Sequence, residues 1–315
     1  MSRAVVATAF GGPEVLSITD VDVGPPGPDE VLLTVRAAGV NRFDATSYSG
    51  AFGTNAARLP MRLGFEASGV VEAVGAGAQG VAGPVLVGDE VIAFRISGAY
   101  ADQVLVDAGS VVPKPASLSW EEAAGLMLTG ATAVHALTAT DVGPGETVLV
   151  HAAAGGVGLM TVQLAHVLGA RVLGTTSERR HELLREFGVE PVAYGPGLAD
   201  RVRAVAPDGV DAAIDAVGTD EAVDVSLVLV ADRDRIATIA AFERGSAAGI
   251  KVLGNGPGGD PGEEIRNAAR RRLLRHVEDN GLRVVVSQTY PLGEVARAHQ
   301  VVGEGHSHGK FVLVP

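Results

Sequence analysis

Residues 147–170 contain no Asp, Glu, Lys or Arg, and a stretch of this length could cross a membrane as a helix. It is interrupted, however, by the glycine cluster "GGVG" and by three polar residues, His151, Gln163 and His166. The run "TVLVHA" before the cluster is typical of a buried strand, and "LMTVQLAHVLGA" after it is typical of a helix. The stretch therefore predicts a strand, a tight turn and a helix in a folded core, and no membrane segment.

The same alternation continues downstream of this stretch. Apolar runs that read as strands, "RVLGTT", "VDAAIDAVG", "DRIATIAA" and "IKVLG", are separated by helical segments such as "SERRHELLREFGV", which ends at Gly188. Strands that alternate with helices at this spacing predict an α/β fold with a doubly wound parallel sheet.

The first third of the chain has a different pattern, in which short apolar runs are separated by Gly, Pro and Asp turns. This pattern predicts a mainly β domain. Pro113 and Pro115 close it, and Ser119 can cap the helix that follows. The final run, "GKFVLVP", returns to the β pattern. We therefore expect a first domain over 1–118, a nucleotide-binding domain over 119–259 and a return to the first domain over 260–315.

Composition excludes several functions. The formal net charge of −12 disfavours nucleic acid as a partner. The chain has no cysteine, which excludes disulfides, thiolate nucleophiles and cysteine-ligated zinc. The N-terminal residues lack the apolar core of a signal peptide, so we expect a cytoplasmic location.

The glycine cluster resembles the fingerprint of a dinucleotide-binding turn. Gly155 and Gly158 hold its second and third positions, whereas Ala153 stands in the first. Such a turn presents backbone N–H groups to a pyrophosphate, since glycine lets the backbone approach closely. We expect the cofactor to contact Ala154, Gly155, Gly156 and Val157. The alternative is a tight corner with no ligand.

The next strand bears on which dinucleotide binds. An NAD site usually carries Asp or Glu about 20 residues beyond the first fingerprint position. Here that region holds Thr175, Thr176 and Ser177, followed by Arg179 and Arg180. Hydroxyl groups and guanidinium groups bind a 2′-phosphate, which a carboxylate would repel. The pattern favours NADPH over NADH, although Glu178 opposes it and the two arginines could be solvated helix residues.

Five motifs resemble those of the medium-chain dehydrogenase/reductase superfamily, and most closely its zinc-independent quinone oxidoreductase branch. They are "GVNRFDATSYSG" (39–50), "LGFEASGVVEAVG" (63–75), "LTGATAVHAL" (128–137), "GPGETVLVHAAAGGVG" (143–158) and "GKFVLVP" (309–315). The resemblance covers essentially the whole chain. It implies a GroES-like, mainly β catalytic domain, a Rossmann domain and a homodimer.

The metal ligands of the zinc-dependent relatives are missing. Zinc alcohol dehydrogenases of this superfamily carry Cys in the first motif and Gly-His-Glu in the second. This chain has Asn41 in the first region and Gly64-Phe65-Glu66 in the second, and Phe cannot bind a metal. We therefore expect no metal, with Glu66 as a buried structural carboxylate.

The resemblance also implies roles for individual residues. Asn41 would lie by the nicotinamide ribose and the substrate, and Thr129 would contact the nicotinamide side of the cofactor. Tyr194 and the arginines would form the adenosine-phosphate wall. The residues assigned to the cofactor beyond those already named are Val217, Ala240 and Phe242.

Several polar residues have two interpretations. Tyr48 could donate a proton to the substrate or form a pocket wall, and Thr46 stands where relatives often carry an aromatic residue. Asp44 and His151 are expected to be structural, and His306 and His308 are expected to be solvated.

Three functions remain open at this point. The first is NADPH-dependent quinone reduction, in which a conjugated substrate accepts hydride without a metal. The second is reduction of an enone or another α,β-unsaturated carbonyl. The third is a non-catalytic NADPH-binding protein.

Overall fold

The computed structural model describes residues 1–305 and 308–315. The strands, in chain order, are β1 (Ser2–Ala7), β2 (Leu16–Val21), β3 (Glu30–Val40), β4 (Met61–Arg62), β5 (Glu66–Val74), β6 (Gln79–Gly80), β7 (Gly83–Pro84), β8 (Glu90–Phe94), β9 (Gln103–Asp107), β10 (Val111–Pro113), β11 (Thr147–His151), β12 (Arg171–Thr176), β13 (Glu190–Ala193), β14 (Ala212–Asp215), β15 (Ile236–Thr238), β16 (Lys251–Val252), β17 (Val286–Pro291) and β18 (Lys310–Val314).

The helices are α1 (Arg42–Ser49), α2 (Trp120–Ala124), α3 (Met127–Ala139), α4 (Gly156–Val167), α5 (His181–Glu186), α6 (Leu198–Val205), α7 (Asp220–Leu229), α8 (Phe242–Ala248), α9 (Glu263–Asn280) and α10 (Val295–Glu304). Within the described residues, no helix combines the length and the apolar character needed to cross a bilayer.

The chain forms two compact units. The first comprises Met1–Leu128 and Arg270–Pro315, and the second comprises Thr129–Ala269. These boundaries lie after those expected from sequence (128 against 118, and 269 against 259). The segment at 119–128 joins the first unit because α2 packs on it: the Ser68 hydroxyl donates to the Trp120 carbonyl over 2.6 Å. The start of α2 is as expected, since the Ser119 hydroxyl accepts from the Glu122 N–H.

The first unit is built around a sheet in the order β10-β8-β5-β3-β18-β17, with β9 also paired to β3. A smaller sheet has the order β2-β1-β4. β3 pairs antiparallel with β5, β9 and β18. The run "GKFVLVP" thus returns to the first domain, as the sequence predicts. The larger apolar cluster of this unit includes Leu33, Tyr100 and Phe311 among its buried residues.

The second unit contains a six-stranded sheet in the order β13-β12-β11-β14-β15-β16. All of its pairings are parallel, which confirms the doubly wound α/β prediction. Counted from β11, the order is 3-2-1-4-5-6, the order of dinucleotide-binding folds. From β11 the chain adds β12 and β13 on one side of the sheet and then β14, β15 and β16 on the other, so the strand order switches at β11. Ligands of such sheets bind outside the carboxyl ends of the strands at that point.

Candidate functional site

The first unit contains a buried cluster of charged and amide groups at the end of β3. The Lys310 ammonium lies 2.9 Å from Glu66 Oε1 and 2.5 Å from Asn41 Oδ1. The Asn41 amide nitrogen donates to the same Glu66 oxygen over 3.1 Å, and the Leu128 N–H donates to the other over 2.8 Å. The side chains are almost fully buried, with Glu66 0 % and Lys310 3 % exposed. The Asn41 amide is therefore held in one orientation by an ion pair.

Asp44 continues this network into α1. One of its carboxylate oxygens accepts from the Asn41 N–H over 3.0 Å and from the Tyr100 hydroxyl over 2.9 Å. Burial raises the pKa of Asp44 to about 7, against the lowering effect of the Tyr100 hydrogen bond and of Lys310. Asp44 thus has the structural hydrogen-bonding role expected of it.

Tyr48 lies in the core of the first unit. It is 1 % exposed, and its hydroxyl lies 2.9 Å from Nδ1 of the buried His299. Burial raises the pKa of Tyr48 and lowers the pKa of His299 to about 4. A hydroxyl in this position contacts core residues, so the structure supports a packing role for Tyr48 and not the alternative of a proton donor.

Glu66 follows an aromatic residue at the position where zinc-dependent relatives carry a ligand. The Phe65 ring packs edge-on against Phe43, with ring centroids 4.9 Å apart, and lies 6.1 Å from Phe94. Aromatic rings therefore pack against one side of this position, and the neighbouring carboxylate serves the ion pair with Lys310.

In the second unit, the parallel sheet brings the predicted cofactor residues to one edge. β12 lies between β11 and β13, with Val150 level with Gly174 and Thr176 level with Ala193. The turn after β11, the Ser177 region after β12 and Tyr194 after β13 therefore follow one another along the carboxyl edge of the sheet. Val217 and Ala240 follow β14 and β15 at the same edge.

The glycine turn is fixed by β12. The Ala152 N–H donates to the Thr175 hydroxyl over 3.2 Å, and the Ala153 N–H donates to the Thr175 carbonyl over 3.0 Å. α4 begins at Gly156, and its first N–H groups have no partner within the helix. The turn residues, Ala154, Gly155, Gly156 and Val157, thus stand where the helix N-terminus offers donors to an anion.

The two glycines of the fingerprint differ in their surroundings. A Cβ added at Gly158 would lie 2.7 Å from the Ala153 Cα, so this glycine permits close packing of helix and strand. A Cβ added at Gly155 would meet only the Ala152 carbonyl oxygen, at 3.3 Å. The fold itself thus requires glycine strictly at Gly158, whereas Gly155 leaves space on its outer side.

The end of β12 carries cations without partners. Neither Arg179 nor Arg180 has a side-chain hydrogen bond or ion pair among the described residues. Arg179 is exposed, and Tyr194 on the neighbouring strand is 56 % exposed. Thr175 and Thr176 are buried, and the Thr175 hydroxyl already serves the turn. Ser177 is half-buried and Glu178 is exposed, so Ser177, the two arginines and the opposing carboxylate of Glu178 are the groups of this segment that face outward.

The loops after β14 and β15 are joined by a residue that the sequence did not single out. Asp215 Oδ2 accepts from the Thr238 hydroxyl over 2.7 Å, and its other oxygen accepts from the N–H groups of Val217 and Gly218. The Thr238 hydroxyl in turn accepts from the Ala240 N–H over 3.2 Å. The expected cofactor residues Val217 and Ala240 are therefore held by a buried carboxylate.

Phe242, at the start of α8, packs against the loop around Gly256, where an added Cβ would clash with its ring. Thr129 is buried in α3, 3 % exposed.

His151 is a packed residue, as expected. It is 1 % exposed, and its Nε2 lies 3.1 Å from the Ser226 hydroxyl. Burial lowers its pKa to about 4. His306 lies outside the described residues. His308 is half-buried, 3.1 Å from the Ser287 hydroxyl, so the expectation of a solvated side chain is wrong for this residue.

Lys310, Tyr100, Asp215, Thr238 and His299 are among the polar residues of these networks that sequence reasoning missed. Lys310 could have been suspected, because it is the one charge in the apolar run "GKFVLVP". Asp215 likewise ends an apolar strand. His299 lies on the amphipathic helix α10 without a comparable signal.

Comparison with known proteins agrees with this architecture. A family profile described as alcohol dehydrogenase GroES-like domain matches residues 27–116, and one described as zinc-binding dehydrogenase matches residues 156–255. These matches confirm the predicted GroES-like and Rossmann domains.

Individual proteins match the chain over its full length. A quinone oxidoreductase of Pseudomonas aeruginosa is 33% identical, covering 100% of both proteins. A 2-haloacrylate reductase of a Burkholderia species is also 33% identical, covering 100% of this chain and 99% of its own. The solved structure of the Escherichia coli quinone oxidoreductase complexed with NADPH matches with a TM-score of 0.85 at 27% identity, covering 100% of both chains. The chain therefore belongs to the medium-chain dehydrogenase/reductase superfamily, among its quinone oxidoreductase-like members.

Proposed function

We propose that this protein is an NADPH-dependent oxidoreductase that reduces quinones without a metal. The observation that carries the proposal is the carboxyl edge of the six-stranded sheet. There, the glycine turn lies beside two arginines that have no partner among the described residues. The NADPH-bound quinone oxidoreductase that this chain resembles supports the same cofactor.

The residues present fit NADPH. Gly155 leaves space beside the N-terminus of α4, whose free N–H groups suit a pyrophosphate. Arg179 and Arg180 suit the 2′-phosphate, since guanidinium groups form charge-assisted hydrogen bonds to phosphate oxygens. Tyr194 presents an exposed ring on the next strand for the adenosine.

The residues present do not fit zinc. The chain contains no cysteine, and Phe65 packs with other aromatic rings at the position of a potential ligand. Among residues 1–305 and 308–315, no three His, Asp or Glu side chains are grouped so that they could hold a metal ion. We therefore assign no step to a metal.

The roles of this chain are binding and orientation. NADPH, when bound, supplies a hydride to a conjugated acceptor that can delocalise the added charge. Asn41 is proposed to orient the nicotinamide ribose and the substrate, since Lys310 and Glu66 hold its amide in one orientation. Thr129 is proposed to contact the nicotinamide side of the cofactor. Tyr48 is not carried forward, because its hydroxyl is buried against His299.

A second candidate is reduction of an α,β-unsaturated carbonyl compound. The specific observation in its favour is the similarity to a protein named 2-haloacrylate reductase, at the same identity as the quinone oxidoreductase of Pseudomonas aeruginosa. Both activities need the same cofactor and the same delocalisation of charge.

The test is steady-state oxidation of NADPH in the presence of a panel of quinones and enones, with identification of the reduced products. Turnover of quinones supports the leading proposal, whereas turnover of enones alone favours the second candidate. Oxidation with neither class, together with tight NADPH binding, would favour a non-catalytic binding protein. A chelator should leave the activity unchanged, and full loss on chelation would contradict the metal-free proposal. The cytoplasmic location and the homodimer stay predictions, the latter open to sedimentation analysis.

A further inference from the structure

The first unit contains a cavity of about 430 Å³, which lies in the range of small-molecule sites. Its apolar lining includes Phe43, Met61, Leu63 and Phe65, and its basic lining consists of Arg58 and Arg62. Aromatic walls suit a planar substrate, and two guanidinium groups in a protein with a net charge of −12 suit an anion.

Arg62 is the more constrained of the two cations. Its Nε and Nη2 atoms are buried and have no hydrogen-bond partner among the described residues. The guanidinium lies against Gly98, where an added Cβ would come within 2.9 Å of Nε. Burial lowers the pKa of Arg62. Buried donors without an acceptor cost free energy, so a shift of this side chain that brings its donors to acceptor oxygens of a ligand in the cavity would relieve that cost.

Arg58 adds a second positive charge that is only weakly held. It is exposed, and its guanidinium lies 5.9 Å from the ring centroid of Phe10. Its Nη2 lies 3.5 Å from the Ser47 carbonyl oxygen, the outer limit of a hydrogen bond. Arg58 can therefore turn towards an anion in the cavity without breaking a strong contact.

Asp44 is the acidic residue of the lining. A carboxylate there would repel a bound anion, but hydrogen bonds within the protein already engage it. One of its oxygens accepts from Tyr100 and from the Asn41 N–H. The same hydrogen bond links the cavity wall to Asn41, the residue proposed to orient the substrate. The cavity thus adjoins the reacting region of the first unit.

We propose that this cavity selects substrates that carry a carboxylate on a planar, conjugated body, with Arg62 as the specificity-determining residue and Arg58 in support. The inference rests on the proposed reductase function and names its substrate class. The chemistry is unchanged: a conjugated C=C bond accepts a hydride from NADPH and a proton from solvent, giving the saturated acid and NADP⁺.

The experiment compares one enone in two charge states, 3-benzoylacrylate and its methyl ester, with the full chain. We expect Arg62→Met to raise KM for the acid about 10- to 100-fold, as for the loss of a charge-assisted hydrogen bond, and to change KM for the ester less than about twofold. Arg62→Lys, which keeps the charge but not the fork of donors, should fall between. Arg36→Met is the control. It removes the same charge, and Arg36 is exposed on β3 outside the cavity.

A second measurement separates the two levels of the proposal. Calorimetric binding of 3-benzoylpropanoate, the saturated acid, reports on the cavity without turnover. If neither enone is reduced but wild-type protein binds this acid and Arg62→Met does not, the assignment of enone reduction is wrong and the anion site stands. Equal KM values for acid and ester in wild type, or unchanged values in Arg62→Met with its thermal unfolding intact, would overturn the anion site and leave the reductase proposal in place.

Discussion

The two units present their functional residues in opposite ways. In the first, Asn41, Glu66 and Lys310 are buried and satisfy one another, so the side chains that matter are fixed before any ligand binds. In the second, the glycine turn, Arg179 and Arg180 lie at the carboxyl edge of a parallel sheet, and the two guanidinium groups have no partner within residues 1–305 and 308–315. The difference indicates that internal bonds hold the Asn41 side chain in the first unit, whereas the groups proposed to bind the cofactor in the second unit are held by few contacts.

The largest effect should come from breaking the buried ion pair. Lys310→Met leaves the Glu66 carboxylate buried without its cation, so the free energy of unfolding should fall by about 3–5 kcal/mol. Denaturant unfolding measures this. The double variant Lys310→Met with Glu66→Gln should recover much of the loss, because no buried charge is then uncompensated. A single variant as stable as wild type would show that the first unit does not depend on this pair.

The pH dependence of the first unit should follow Asp44. Its pKa is raised in the folded state from 3.8 to about 7, so the folded protein binds this proton more tightly than the unfolded chain does. The stability that Asp44 contributes is therefore fully present below about pH 4 and is lost as the pH rises through 7. Relative to wild type, Asp44→Asn should gain stability across this window, by at most about 4 kcal/mol. A stability difference between wild type and Asp44→Asn that is the same at pH 5 and at pH 8 would contradict the raised pKa of Asp44.

Substitutions of the arginines at the carboxyl edge of the second unit's sheet should change the binding of NADPH and have little effect on stability. Arg179→Ala combined with Arg180→Ala should raise the Kd for NADPH about 10- to 100-fold and leave the Kd for NADH nearly unchanged. The NADPH preference should also shrink with added salt, because exposed charges are screened. Arg203→Ala is the matched control, since Arg203 is paired with Asp200 at 3.0 Å. If the double variant keeps its full preference for NADPH, the arginines are solvated residues that do not bind the 2′-phosphate.

The smallest effect should separate the two roles of glycine at the turn. Gly155→Ala requires the Ala152 carbonyl to give by a few tenths of an ångström, so the protein should fold and bind NADPH about tenfold more weakly. Gly158→Ala forces α4 away from the turn at Ala152 and Ala153 and should lower stability by about 1–3 kcal/mol. Fluorescence titration with NADPH and thermal unfolding measure the two quantities. Unchanged affinity in Gly155→Ala would leave the turn as a structural corner.

The same contrast explains what the sequence could predict. The turn and the segment "TTSERR" are local patterns whose spacing reflects the geometry of one strand-turn-helix unit, so the fold of this edge was predictable, and its contacts with the cofactor stay a prediction. The partner of Asn41 was not, since Lys310 lies 269 residues away and meets it only through the pairing of β3 with β18. Tyr48 had two interpretations from the sequence, and its burial against His299, which favours packing, depends on tertiary contacts that leave no local pattern.

The position of β18 also constrains how the protein is made. A ribosome delivers this strand only after the whole second unit, which is continuous in the chain and can fold while synthesis proceeds. Until then, the part of β3 around Gly39 lacks its partner strand β18, and the Glu66 carboxylate lacks the Lys310 ammonium. An unpaired strand of this kind pairs readily with other chains. The nascent first unit is thus most exposed to aggregation during the interval in which its neighbour is completed.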